Sequence, residues 1–203
     1  MKKILGRILI CLLLAVFFWC GTLISDRQRL REELIRLHVV ANSDSREDQE
    51  RKLQVRDAVT RSLQSDLQNI KDAEQAKLYL QQKLPYIQEV ARNTLQALGC
   101  EDGVSVSLCK ESFDTRIYDT FTLPAGVYEA LRIVIGEGEG KNWWCVVFPG
   151  LCIPAASEGF EDVAAGAGFP EALHQSLSGT EAYDLRFGIL DAMGKLETIL
   201  FAG

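Results

Sequence analysis

The spacing of apolar residues changes character repeatedly along this chain, and each change predicts an element. Ile8 to Ile24 is an unbroken apolar run, preceded by Lys2, Lys3 and Arg7 and free of acidic residues. Leu34 to Ala41, LIRLHVVA, turns β-branched and aliphatic and reads as a strand. Asn42-Ser43-Asp44-Ser45 breaks it, and Ser45 with Asp48 three residues on forms a capping box. Val55, Val59, Leu63 and Leu67 then recur every four residues, the apolar stripe of a helix of about six turns. Asp72 caps a second helix with the stripe Ala76, Leu80, Leu84, Ile87, Ala91, Leu95 and Leu98, and Gly99 stops it. Pro85 is expected to bend or split that helix, because proline lacks an amide and crowds the preceding turn.

From Val104 the period falls to two. Val104, Val106 and Leu108 alternate with Ser105 and Ser107, the pattern of a half-buried strand. Glu129 to Ile135 and Trp143 to Phe148 predict two more strands, joined by the glycine-rich hairpin loop Gly136 to Lys141. Ala155 to Ser178 reads as a loose connection with a short helix near Glu171 to Gln175. A last helix is predicted from Thr180 through Leu200, with Leu185, Ile189, Ala192, Leu196 and Ile199 on one face. The fold class is α+β: an N-terminal membrane helix, then one domain whose mostly antiparallel sheet is covered by helices on one face. Residues 1–24 form the leader and residues 34–203 the domain.

The leader fixes the compartment. Seventeen residues of helix span about 26 Å, at the short end of what crosses a bilayer. Cations before the run favour a cytoplasmic N-terminus and an exported domain. Cleavage wants small residues before the cut, and Phe18, Trp19 and Cys20 stand there. An uncleaved signal anchor is therefore expected, with cleavage between Thr22 and Asp26 as its competitor. The chain holds 22 Lys plus Arg against 28 Asp plus Glu, and without the leader's three cations the domain is near −9. That charge argues against nucleic acid and anionic lipid as partners.

In an oxidising compartment Cys100, Cys109, Cys145 and Cys152 form an even set. Proximity favours Cys145 with Cys152. A loop centred on Phe148-Pro149 sets those two opposite each other and implies a cis bond at the proline, whereas a Pro149-Gly150 turn makes the bridge diagonal. A Cys100–Cys109 bridge is less favoured, since a strand runs between them.

The search for chemistry finds no catalytic, metal or cofactor constellation. Gly136 to Lys141 misses the spacing of a phosphate loop, and Asn142 stands where Ser or Thr belongs. His38 and His174, the two histidines, lie far apart with no shared ligand pattern. A Ser/His/Asp triad can be drawn from His38 and its neighbours, but no nucleophile elbow surrounds Ser43 or Ser45. Two tracts remain. Arg36 to Asp57 gathers Arg36, His38, Asn42, Ser43, Asp44, Asp48, Gln49, Lys52 and Arg56. Arg36 or Arg56 is expected to hold Asp44, Asp48 or Asp57 and so pin strand to helix. The second tract is Asn142, Trp143, Trp144 and Cys145 with Phe148, Pro149 and Cys152. Adjacent residues on a strand point to opposite faces, so one of Trp143 and Trp144 is core and the other lies under a helix or anchors a partner.

Both tracts, LIRLHVVANSDSREDQERKLQVRDAV and GEGEGKNWWCVVFPGLC, resemble the stage II sporulation protein R family of endospore-forming bacteria. Leu123 to Tyr128 and the helix with Arg186-Phe187 fit as well. The resemblance implies a non-catalytic signal made in the forespore and exported into the space between the forespore and mother-cell membranes. It implies as partner the extracytoplasmic part of a membrane-embedded aspartic protease, which then trims an early mother-cell pro-sigma factor. No cofactor, nucleic acid or small-molecule substrate is expected, and the membrane is engaged through residues 8–24. By position the resemblance singles out the residues of the two tracts as partner-binding or motif residues. Two other readings compete: an exported cell-wall enzyme with an unseen acid pair, and a wall-binding module that stacks sugars on Trp143 or Trp144. Missing site spacings speak against the first and the absence of repeats against the second.

Overall fold

The computed structural model describes residues 31–117 and 122–149, together with isolated positions 4, 6, 7, 10, 11, 14 and 28. The expected connection 155–178, the helix from Thr180 to Leu200 and Cys152 lie outside the described residues, as does most of the run from Ile8 to Ile24. Among the described residues no helix is long and apolar enough to cross a membrane.

The elements run β1 (Ile35–Val40), α1 (Arg46–Leu67), α2 (Ala73–Ala97), β2 (Val104–Phe113), β3 (Arg116–Ile117), β4 (Thr122–Leu123), β5 (Gly126–Ile135) and β6 (Asn142–Phe148). Two caps form as the sequence predicts: Asp48 N–H donates to Ser45 Oγ at 3.1 Å, and Gln75 N–H to Asp72 Oδ1 at 2.8 Å. The other half of the capping box does not form. The Asp48 carboxylate turns to Ser43 and Asn42 instead. Gly99 ends α2 at φ 68°, with Cys100 N–H bonded back to Leu95 and Gly99 N–H to Gln96, a Schellman stop. Pro85 neither splits nor ends α2, which continues to Ala97. It sits on the exposed side of the helix, where water can take up the carbonyl its ring leaves free.

The sheet order is β2-β5-β1-β6, with β3-β4 a separate two-stranded pair. Both outer pairings are antiparallel, but the central one, β1 with β5, is parallel. The sheet is mostly antiparallel, as expected, yet mixed, because its central pairing is parallel. The reason is topological: α1, α2 and β2 intervene between β1 and β5, enough chain for a crossover. The register sets Ile35, Leu37 and Val39 on the helix side with Leu131, Ile133, Ile135 and Cys145. Val55, Val59 and Leu63 of α1 and Leu80, Ile87 and Leu95 of α2 close over them, all fully buried. Each such side chain contributes about 1.5–3 kcal/mol of burial.

Cys100 and Cys109 are free, so the bridge between them does not form. Cys145 is disulfide-bonded, and the Phe148-Pro149 bond is cis as expected.

Candidate functional site

The two sequence tracts divide into three places. The first is the turn between β1 and α1. Asp48, almost fully buried, accepts from Ser43 Oγ at 2.6 Å, Asn42 Nδ2 at 3.2 Å and Arg51 Nη1 at 3.0 Å. The Ser43 hydroxyl, first among these donors, holds the Asp48 carboxyl below the usual carboxylate range. Gln49 donates from Nε2 to Ser43 O and accepts from buried Lys52 Nζ at 2.6 Å. Burial pushes the Lys52 ammonium down.

The expected hairpin is corrected to a connection that passes over β1, since β5 and β6 flank that strand and do not pair with each other. The turn between β1 and α1 grips this β5–β6 loop through the loop's main chain. Lys52 Nζ donates to Lys141 O at 2.8 Å, Lys141 N–H to Asp44 Oδ1 at 2.7 Å and Glu137 N–H to Asn42 Oδ1 at 3.0 Å. Glu139 and Gly140 N–H bond the carbonyls of Asn42 and Ala41. A Cβ on Gly140 would run into Ser43 O. The glycines therefore permit close backbone approach rather than phosphate binding.

Of the expected pairs Arg56 with Asp57 forms, at 2.6 Å, but both residues lie on α1, so this pair does not pin strand to helix. Asp44 and Asp48 are met by Lys141, Asn42, Ser43 and Arg51. The strand–helix tie is made by Asn42 and Ser43 donating to Asp48 and by Gln49 donating to Ser43 O, contacts that a search for opposite charges overlooks.

The second place is the sheet face that α1 and α2 do not cover. His38 Nδ1 lies 2.8 Å from Glu111 Oε2 and Nε2 lies 2.9 Å from Asn142 Oδ1. Its ring stacks on Trp144, with centroids 5.5 Å apart and planes at 27°, and meets Phe113 edge-on. Fully buried Arg36 carries its guanidinium carbon 4.0 Å from the Phe113 ring centre and 5.2 Å from that of Tyr128, a cation–π geometry. Tyr128 in turn donates to Pro124 O, and Arg132 Nε is 3.7 Å from Glu111 Oε1.

The third place is the helix side of β6, where Trp143 packs against the core with the Arg56 guanidinium 4.2 Å over its ring. The two tryptophans thus take opposite faces, as alternation requires. Phe148 and Pro149 are buried at the far end of the strand.

Sequence reasoning missed Glu111, Phe113, Tyr128 and Arg132. Period-two reading ended β2 at Leu108, yet the same alternation carries Ser105 and Ser107 on to Glu111 and Phe113. Chemically, both ring nitrogens of His38 are engaged and Ser43 serves Asp48, so no Ser/His/Asp triad is assembled. Among the described residues no group of three or more His, Cys, Asp or Glu is placed to hold a metal.

Residues 31–158 match the family described as Stage II sporulation protein R. The chain belongs to the stage II sporulation protein R family. Stage II sporulation protein R of Bacillus subtilis (strain 168) is 41% identical over 128 residues, 63% of this chain and 57% of the relative's own length. The chain therefore spans little more than half the length of that curated relative. No solved structure matches. Membership ties the chain to sporulation, and the span matched to the family contains β1 to β6, α1, α2 and the three places described above.

Proposed function

We propose that this chain is an exported sporulation signal that acts by contact, switching on a membrane-embedded aspartic protease in trans. The protease then trims the pro-sequence of an early mother-cell sigma factor. The signal is made in the forespore, held to the membrane through residues 8–24, and works in the space between the forespore and mother-cell membranes.

The observation that carries this reading is the sheet face at His38 and Trp144. Its buried aromatic and polar members fix one another and hold half-buried Trp144 and Glu111, with exposed Arg132 and Asn142, as an accessible rim suited to recognition rather than reaction. Family membership supplies the sporulation context. Ile4, Ile10 and Leu14 support the anchor: they are helical and 63, 58 and 52% exposed, side chains for which hydrocarbon is the favourable surrounding. A bound signal raises protease activity only by favouring the active receptor arrangement over the inactive one.

The test is co-expression of the full chain with the protease and its pro-sigma substrate, with cleavage read by immunoblot. Trp144→Ala is expected to lower processing at least ~10-fold at an unchanged level of chain in the membrane. Processing that survives both Trp144→Ala and Glu111→Ala removes this face from the reading. Release of wall fragments by the purified chain would return the wall-acting enzyme to first place.

A further inference from the structure

The two edges of the main sheet are built differently. β6 carries an irregularity: Ile35 pairs with Phe148 and Arg36 with Val146, so Val147 is an extra residue. Pro149 follows it directly, and Cys145 to Pro149 are buried. Bulge, proline and cover are the usual devices that keep an edge strand from pairing with another chain.

Among the described residues β2 has none of them. All ten of its residues pair with β5 in one unbroken register, with no bulge, glycine or proline. Among the described residues nothing pairs with its outer edge. Val104, Val106 and Leu108 remain half-buried there, packed on the core from one side only. One residue, Lys110, acts as a charged guard on that helix-side row. A long, unbroken edge with one apolar row of this kind is a template for a further strand.

The pattern of β2 also fits itself. In an antiparallel pair, residues directly opposite each other share a face. A two-fold axis at Cys109 sets Glu111 opposite Ser107 and Lys110 opposite Leu108. An axis at Leu108 sets Glu111 opposite Ser105 and Lys110 opposite Val106. Neither opposes like charges, and both pair nearly the whole strand. Axes at Lys110 or Glu111 would bring identical charges face to face.

We propose that β2 pairs antiparallel with the β2 of a second copy, about a two-fold axis at Leu108 or Cys109, making one continuous sheet across two chains. A foreign strand needs no such symmetry in the β2 sequence; a second copy does. The axis stands normal to the sheet, so both faces at His38 and Trp144 end on the same side. The pairing rests on the edge itself and not on the signalling role proposed above.

Disulfide trapping tests it with the full chain in detergent micelles, Cys11 and Cys20 replaced by serine. One variant keeps Cys109 and adds Ser107→Cys, which covers both axes. The other carries Ser112→Cys with Cys109→Ser, and its cysteines would lie about 20 Å or more apart across the pair. Cys100 stays in both, so its contribution cancels. Under copper-phenanthroline oxidation the first variant is expected to give at least ~10-fold more crosslinked dimer than the second, because bridging requires Cα atoms within about 7 Å. Equal yields in the two, high or low, overturn the proposal.

Discussion

One tract of sequence, Arg36 to Arg56, builds two regions that work in opposite ways. At Asn42 to Lys52 the polar side chains turn inward and are used up: Asp48 meets three donors, and Lys52 meets a side-chain and a main-chain acceptor. On the face away from α1 and α2, Arg36 and His38 are buried as deeply as Asp48 and Lys52, but among aromatic rings whose rim, at Trp144 and Glu111, stays partly accessible. The same kinds of residue serve closure in one place and presentation in the other. What separates them is the neighbour that the fold supplies, a glycine loop or a strand of alternating polar residues.

Substitutions sharpen this contrast. The largest effect on stability is expected at the closed turn. Asp48→Ala strands the Ser43, Asn42 and Arg51 donors, and should cost about 3 kcal/mol, read as a lower urea midpoint of the full chain in mild detergent. The acid limb carries the same signature. Because the folded Asp48 carboxyl titrates below its unfolded value, its contribution is complete above about pH 4 and is lost as pH falls through the folded value. The Asp48→Ala variant should show a shallower acid limb than the wild type.

Gly140→Ala comes next, at about 2 kcal/mol by thermal melt, since the added Cβ must displace the Ser43 carbonyl. Ser45→Ala removes the α1 cap and should cost about 1 kcal/mol, measurable in the same urea series. Trp144→Ala reverses the order: a stability change of about 1 kcal/mol or less, from a half-buried ring, with the largest loss of processing. A Trp144→Ala chain that melts as far below wild type as the Asp48→Ala chain would erase the distinction between the regions.

The helices were legible because their signals are local. Four-residue apolar spacing, Ser45, Asp72 and Gly99 sit within a turn of what they control. The parallel pairing of β1 with β5 was not legible, since no local pattern distinguishes a parallel partner across 85 intervening residues. Pro85 does not split α2, because its cost depends on which side of the helix it faces. At the site, the opposite faces of Trp143 and Trp144 followed from strand alternation alone. Glu111 did not, because its value comes from His38, 73 positions away. The role of Asn42, Asp44 and Lys52 was equally hidden: they grip amides and carbonyls of the loop, and main-chain partners leave no mark in composition.

That grip has a practical consequence. Since the β5–β6 loop is held by its backbone from Glu137 to Lys141, the side chains of Glu137 and Glu139 are spectators, both exposed. Cysteine at Glu139 would carry a fluorophore on a firmly seated arm close to the Asn142 end of the His38 cluster. Such a dye would report the arrival of a second protein at that face without occupying any contact that the domain itself requires.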